Sequence, residues 1–241
     1  MLPLIRLDGV VKASTVPPLR LDRLDIHARE HLVLSGLGRD AAEMLVHLVT
    51  GAALADEGDI LIDGQSTRDI ATDAEWLTAL DRFGLVSERA VLIDALSIES
   101  NLALPLTVSI DPIAEDLRRQ VQALAEMVGL PAGRLPEKAG TLTAVERVRV
   151  HLARALAPAP AFLLLEHPTA NLDGPADAAA IGDTVRQVAE TRGIGWLAIS
   201  EDAAFARASG GRRLALDTSG GTIRHVREPL IRRLLQRLAG S

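Results

Sequence analysis

Apolar and polar positions alternate along the chain in two rhythms, one of period two and one of period 3.6, which predict interleaved strands and helices. Ile5–Val11 and Leu19–Ile26 read as short strands around the turn-prone Thr15-Val16-Pro17-Pro18. His31–Ser35 is a compact apolar strand ending at Gly36-Leu37-Gly38. Ala41, Met44, Leu45, Leu48 and Val49 then recur at helical spacing, and Gly51 supplies a stop. Glu57-Gly58-Asp59 reads as a turn into a strand over Ile60–Ile62, closed by Asp63-Gly64. Asp111-Pro112 reads as a helix start, with Ile113, Leu117, Val121, Leu124 and Val128 on one face before Gly129. A second helix is predicted over Ala144–Leu156 and another over Ala176–Glu190. The continuous apolar runs Ala161–Leu165 and Gly195–Ser200 suit strands covered on both faces, as in a parallel sheet with flanking helices. The alternation predicts an α/β fold, with a mostly helical insertion from about Glu88 to Glu146.

Composition narrows the chemistry. The 241 residues, 48% of them hydrophobic, suffice for one core, and a net charge of −6 argues against a surface that coats nucleic acid. The absence of cysteine removes disulfides, thiolate metal sites and cysteine nucleophiles together. The six histidines show no metal-ligand spacing. Met1–Asp8 lacks the order of a signal peptide, and no apolar run approaches the roughly 20 residues of a membrane helix. The expected location is therefore the cytoplasm.

The strand–glycine–helix unit at Gly36 is the first functional candidate, because converging backbone N–H groups and a helix N-terminus favour an anion. A phosphate loop needs G-x-x-x-x-G-K-[ST]. Aligned on Gly38, Val33 stands at its first glycine, Arg39 at its lysine and Asp40 at its Mg²⁺-binding hydroxyl, followed by Ala41. On that motif alone a structural tight turn is the favoured reading.

The order of further motifs changes the weighting. Leu142-Thr143-Ala144-Val145-Glu146 leads into Ala153-Arg154-Ala155-Leu156, and then Phe162–Leu165 runs into Glu166-His167-Pro168-Thr169-Ala170-Asn171-Leu172-Asp173. With the hairpin Ile60–Gly64 and the segment Ile199-Ser200-Glu201-Asp202, this series closely resembles the ABC-type ATPases from about Ile5 to Arg224. Val91–Ile98 and Asn101–Leu106 also resemble ATPases of mammalian-cell-entry-type lipid transporters, and less completely those of lipoprotein release.

The resemblance implies a P-loop NTPase-like nucleotide-binding domain over residues 1–241: a mainly parallel core sheet with an antiparallel β subdomain (about 1–87 and 157–225), an inserted helical subdomain with the signature helix (about 88–156), and a C-terminal helix (about 226–241). It implies ATP and Mg²⁺ as ligands, held by Ser35, Gly36, Leu37, Gly38, Arg39, Asp40 and Ala41, with Asp40 and Glu166 as candidate metal ligands. It implies a membrane permease and a second ATPase subunit, in a hetero- or homodimer, as partners, and a place on the inner face of the cell membrane. Each nucleotide would lie between the phosphate loop of one subunit and the signature of the other.

The chain departs from the family where chemistry is done. Serine (Ser14) stands where an aromatic stacks on adenine, Glu88 at the glutamine that senses Mg²⁺, and Glu166 at the metal-side aspartate. His167 stands at the general-base glutamate and Glu201 at the switch histidine. Leu142, Thr143, Ala144, Val145 and Glu146 replace L-S-G-G-E/Q, placing side chains where glycine N–H groups approach the γ-phosphate. Positioning and electrostatics carry phosphoryl transfer almost entirely, so these losses together predict little or no turnover. Three readings stay open: a non-catalytic transporter subunit, with lipid as the cargo the resemblance suggests; a divergent active ATPase using His167 or Glu201; and a soluble interaction module. The basic amphipathic tail Val226–Leu238 is expected to pack on its own domain or on anionic lipid.

Overall fold

A computed structural model describes residues 2–87 and 89–226. The tail helix expected over Val226–Leu238, beyond Val226 itself, and the candidate Glu88 lie outside the described residues.

The chain opens with β1 (Ile5–Lys12), β2 (Leu19–Ile26) and β3 (His31–Ser35), followed by α1 (Arg39–Val49). Next come β4 (Glu57–Ile62), β5 (Gln65–Ser66), α2 (Asp73–Leu80) and β6 (Phe83–Ser87). The middle of the chain is helical, with α3 (Ile98–Ala103), α4 (Glu115–Met127) and α5 (Ala144–Leu156). The last third alternates β7 (Phe162–Glu166), α6 (Pro175–Arg192), β8 (Gly195–Ile199) and α7 (Ala203–Ala208), and ends in β9 (Arg212–Asp217) and β10 (Thr222–His225). Two sheets result: an antiparallel one in the order β2-β1-β4-β5, and a larger one in the order β10-β9-β3-β8-β7-β6, parallel except at β10. This is the α/β class expected, with a mainly parallel sheet and a separate antiparallel one.

The apolar runs of the large sheet are buried on both faces. Leu32, Leu34, Phe162, Leu164, Leu197 and Ile199 pack with α1 and the antiparallel sheet. Their neighbours Val33, Leu163, Leu165, Trp196 and Ala198 point the other way, into the layer of α5, α6 and α7. Period-two alternation between two apolar layers explains why these strands carry no polar face.

Two local expectations are corrected. Glu57-Gly58-Asp59 is not a turn before a strand but the start of β4, where the pairing with β1 shifts register between Asp8 and Val11. Gly58 has φ +74°, and a Cβ there would collide with the carbonyl oxygen of Gly9, so the glycine marks a bulge. The helix expected from Asp111-Pro112 starts later, at Glu115: its first bond runs from the Arg118 N–H to the Ala114 carbonyl, and Glu115 and Asp116 supply the favourable negative charge of the first turn.

Candidate functional site

Because β3, β8, β7 and β6 run parallel, their carboxyl ends meet along one edge of the sheet, the place where α/β folds bind ligands. That edge brings together Ser35 and Gly36, Ser200 and Glu201, Glu166 and His167, and Ser87 and Arg89. Most candidates singled out in the sequence thus converge.

The loop between β3 and α1 is only Gly36-Leu37-Gly38. Val33 is no loop residue: it lies inside β3, opposite Ala198 and Arg213, and is 2% exposed. Arg39 and Asp40 form the first turn of α1 rather than a cradle, and the Ala42 N–H already bonds the Gly38 carbonyl at 2.9 Å. Gly36 has φ +94° and packs so closely on β9 that a Cβ would strike the carbonyl oxygen of Leu216. Its N–H is not open to an external anion, because it donates to Glu201 Oε1 at 2.5 Å. Beside the loop, Val16, Pro17, Pro18, Gly38, Arg39, Asp40 and Thr218 line a cavity of about 270 Å³. Val16 there is 94% exposed, and Ser14, the residue expected at the adenine position, is not among the lining residues.

Glu166, the last residue of β7, is buried, and its carboxylate is held by Arg89, whose Nη2 lies 2.7 and 2.6 Å from Oε1 and Oε2. Arg89 also pairs with Glu43 on α1. Burial works against the Arg89 charge, but the hydrogen bonds and charges of Glu166 and Glu43 outweigh it and hold its pKa above the ordinary value. Glu43 and Arg89 were missed in the sequence. The signal for Glu43 lay in the strand end: if Gly36 opens G-x-x-x-x-G-K-[ST], the second glycine falls on Ala41, the lysine on Ala42 and the hydroxyl on Glu43. Ala42 is fully buried and carries no charge.

His167 follows Glu166 at φ +44°, its N–H donating to the Ile199 carbonyl at 2.9 Å, and its Nε2 is buried without a partner. With Val86, Ser87, Ala144, Arg147, His151 and Asn171 it lines a second cavity of about 350 Å³. Burial first, and then the charges of Arg154 and Arg147, push His151 down to about 4, so it is neutral at pH 7. No group of three or more His, Cys, Asp or Glu residues placed to hold a metal occurs among the described residues.

The Leu142–Glu146 segment does structural work. Thr143 caps α5 by accepting from the Glu146 N–H at 3.2 Å, while Glu146 Oε2 accepts from the Thr143 N–H at 2.9 Å, a complete capping box. Arg134 Nε and Nη2 donate to the same carboxylate at 3.0 and 2.9 Å and hold it well below the usual carboxylate range, against the opposing effect of burial. Leu142 is buried, and Ala144 faces the cavity of His151 and His167.

Comparisons with known proteins agree with this architecture. A family model described as ABC transporter matches residues 24–170. The lipoprotein-releasing system ATP-binding protein LolD of Pseudomonas syringae pv. tomato is 29% identical over 77% of this chain and 80% of its own length. The protein of that name from Acinetobacter baylyi is 31% identical over 66% and 70% respectively. The methionine import ATP-binding protein MetN of Rhizobium etli is 29% identical over 88% of this chain, which spans 58% of it. Among solved structures, a dimeric ATP-binding cassette in a post-hydrolysis state bound to ADP and Pi superposes with a TM-score of 0.73 at 23% identity, over 93% of this chain and all of that one. Among the described residues no helix is long and apolar enough to cross a membrane.

Proposed function

Since the chain belongs to the ABC transporter family, as an ATP-binding subunit, we propose that it takes the cassette position beside a membrane permease without turning over ATP, in a transporter that handles lipid or lipoprotein. One observation carries the reading: the loop that should cradle phosphate is three residues long, and its Gly36 N–H is occupied by the carboxylate of Glu201. An incoming phosphate would meet Glu201 and Asp40, both negative, and no lysine, since Ala42 or Arg39 stands at that place under either alignment. The capping of α5 by Thr143 and Glu146, with side chains at Ala144 and Val145, supports the same reading from the signature side.

The family's Mg²⁺ does not fit this edge as it stands. In P-loop NTPases the metal is held by the loop Ser or Thr and a strand-end aspartate. Here the strand-end carboxylate of Glu166 is already bound by Arg89.

Docking is supported by the surface that remains. Val91, Ile93 and Leu85 are 77%, 45% and 40% exposed, and Leu85 lines a groove in which Leu80, Phe83, Ala90 and Pro105 stand beside Asp81, His151 and Arg154. An apolar set of this kind beside an edge strand suits a protein partner. The resemblance of Val91–Leu106 to lipid-transporter ATPases and the likeness to LolD support lipid-related cargo.

The test is co-expression with a neighbouring permease and an intact cassette. The chain is expected to co-purify with the permease in the absence of nucleotide, and His167→Ala is expected to leave the ATP turnover of the complex unchanged. Turnover that is lost in His167→Ala would instead make the chain a divergent ATPase.

A further inference from the structure

The disagreement between this edge and a divalent metal has a specific form, and the inference drawn from it rests on the cassette reading above. Counted from the end of β3, Glu43 occupies the place of the metal-binding hydroxyl and Glu166 that of the strand carboxylate. The two carboxylates come from different layers, one from α1 and one from β7. A single side chain joins them: Arg89 pairs with Glu43 through Nη1 and with both oxygens of Glu166 through Nη2. The Glu166 side chain is 6% exposed, so its charge needs a cation beside it.

We propose that the Arg89 guanidinium is a tethered substitute for a divalent cation, and that Glu43 and Glu166 form a latent divalent-cation site that opens when Arg89 is removed. The guanidinium supplies one positive charge and a planar fork of N–H donors between two groups that would otherwise ligate an ion through oxygen. It ties α1 to β7 permanently, where a metal would do so only while bound. The consequence is an edge that keeps its geometry without metal or nucleotide. With Arg89 shortened, two carboxylates, one of them buried, face the vacated volume, and a hydrated divalent ion is the oxygen-seeking cation that restores neutrality there.

The experiment is thermal unfolding of the full chain at pH 7.5 in EDTA, in MnCl₂ and in NaCl of matched ionic strength. Wild type is expected to unfold at one temperature in all three. Arg89→Ala is expected to unfold lower in EDTA and to regain at least about 4 °C in MnCl₂ but not in NaCl, and Glu43→Gln added to it is expected to abolish the gain. Arg89→Met, which keeps the apolar stem, serves if Arg89→Ala does not fold, with Mn²⁺ binding read directly by electron paramagnetic resonance. An Arg89 variant indifferent to Mn²⁺, or a wild type that Mn²⁺ stabilises, would overturn the proposal. Neither result involves ATP, so failure here leaves the absence of turnover to its own assay, and turnover by wild type would refute that reading whatever Mn²⁺ does.

Discussion

Serine placed at Gly36 and at Gly38 should separate a packed turn from a phosphate cradle. Both glycines would serve an anion in a phosphate loop, but here their surroundings differ. Gly36 has φ +94° and lies against the backbone of β9, where a Cβ meets the Leu216 carbonyl. Left-handed backbone in an L residue costs about 1–2 kcal/mol, and forcing a side chain into filled space adds about 1–3 kcal/mol. A loss of about 3 kcal/mol in a domain of this size lowers Tm by about 6–12 °C. Gly38 is the N-cap of α1, at φ −67° and ψ 169°, and a Cβ there would meet nothing within 4 Å. Serine suits that position, since its hydroxyl can accept from the first-turn N–H groups, so Gly38→Ser should change stability by no more than about 0.5 kcal/mol. Calorimetry or circular dichroism melts of the two variants decide it. Equal destabilisation at both positions, or a Gly36→Ser variant within about 1 kcal/mol of wild type, would refute the packing argument.

Three further outcomes are expected. His151 binds a proton in the unfolded chain near pH 6.5 but in the fold only near 4, so stability present above pH 6.5 should fall by on the order of 3 kcal/mol as pH drops across that window; urea midpoints should show this slope in wild type and lose it in His151→Gln. Glu146, held ionised by Arg134, contributes stability that is present above the ordinary carboxylate pKa and lost as pH falls through its depressed value; Glu146→Gln should weaken the fold at pH 7 and narrow the gap to wild type in acid. Glu201→Ala should keep the fold while freeing the Gly36 N–H, raising affinity for pyrophosphate about tenfold as the repelling charge is removed; titration calorimetry with equal affinity for both proteins would contradict this.

Legibility in the sequence followed the locality of the signal. The bounds of β2, β3 and α5 were readable because alternation, a terminal glycine and a T-x-x-E box lie within a few residues. Helix α2 was not, since none of its residues is fully buried and its half-buried face is only Trp76, Ala79 and Leu80, too short to show as a period, although its Thr72–Glu75 capping box is the same local signal. Gly58 misled because glycine marks bulges as well as turns, and only the pairing with β1 distinguishes them. At the site, Gly36, Glu166, His167 and Glu201 were found through motif order, but the alignment on Gly38 matched a loop glycine to Val33, a residue of the strand expected over His31–Ser35, and its burial on β3 rules that match out. Arg89 left no local trace: its partner Glu166 is 77 residues away, and only the parallel stacking of β6 on β7 brings them together.

If Glu201 at the Gly36 N–H and Arg89 on Glu166 exclude Mg-ATP as proposed, the exclusion should show itself in binding before any assay of turnover. Titration calorimetry of the purified chain with ATP, in Mg²⁺ and again in EDTA, measures this in one series. No binding at millimolar ATP in either buffer is the predicted result. Micromolar affinity that requires Mg²⁺ would show that Glu201 and Arg89 yield to phosphate and metal, and would contradict the central claim.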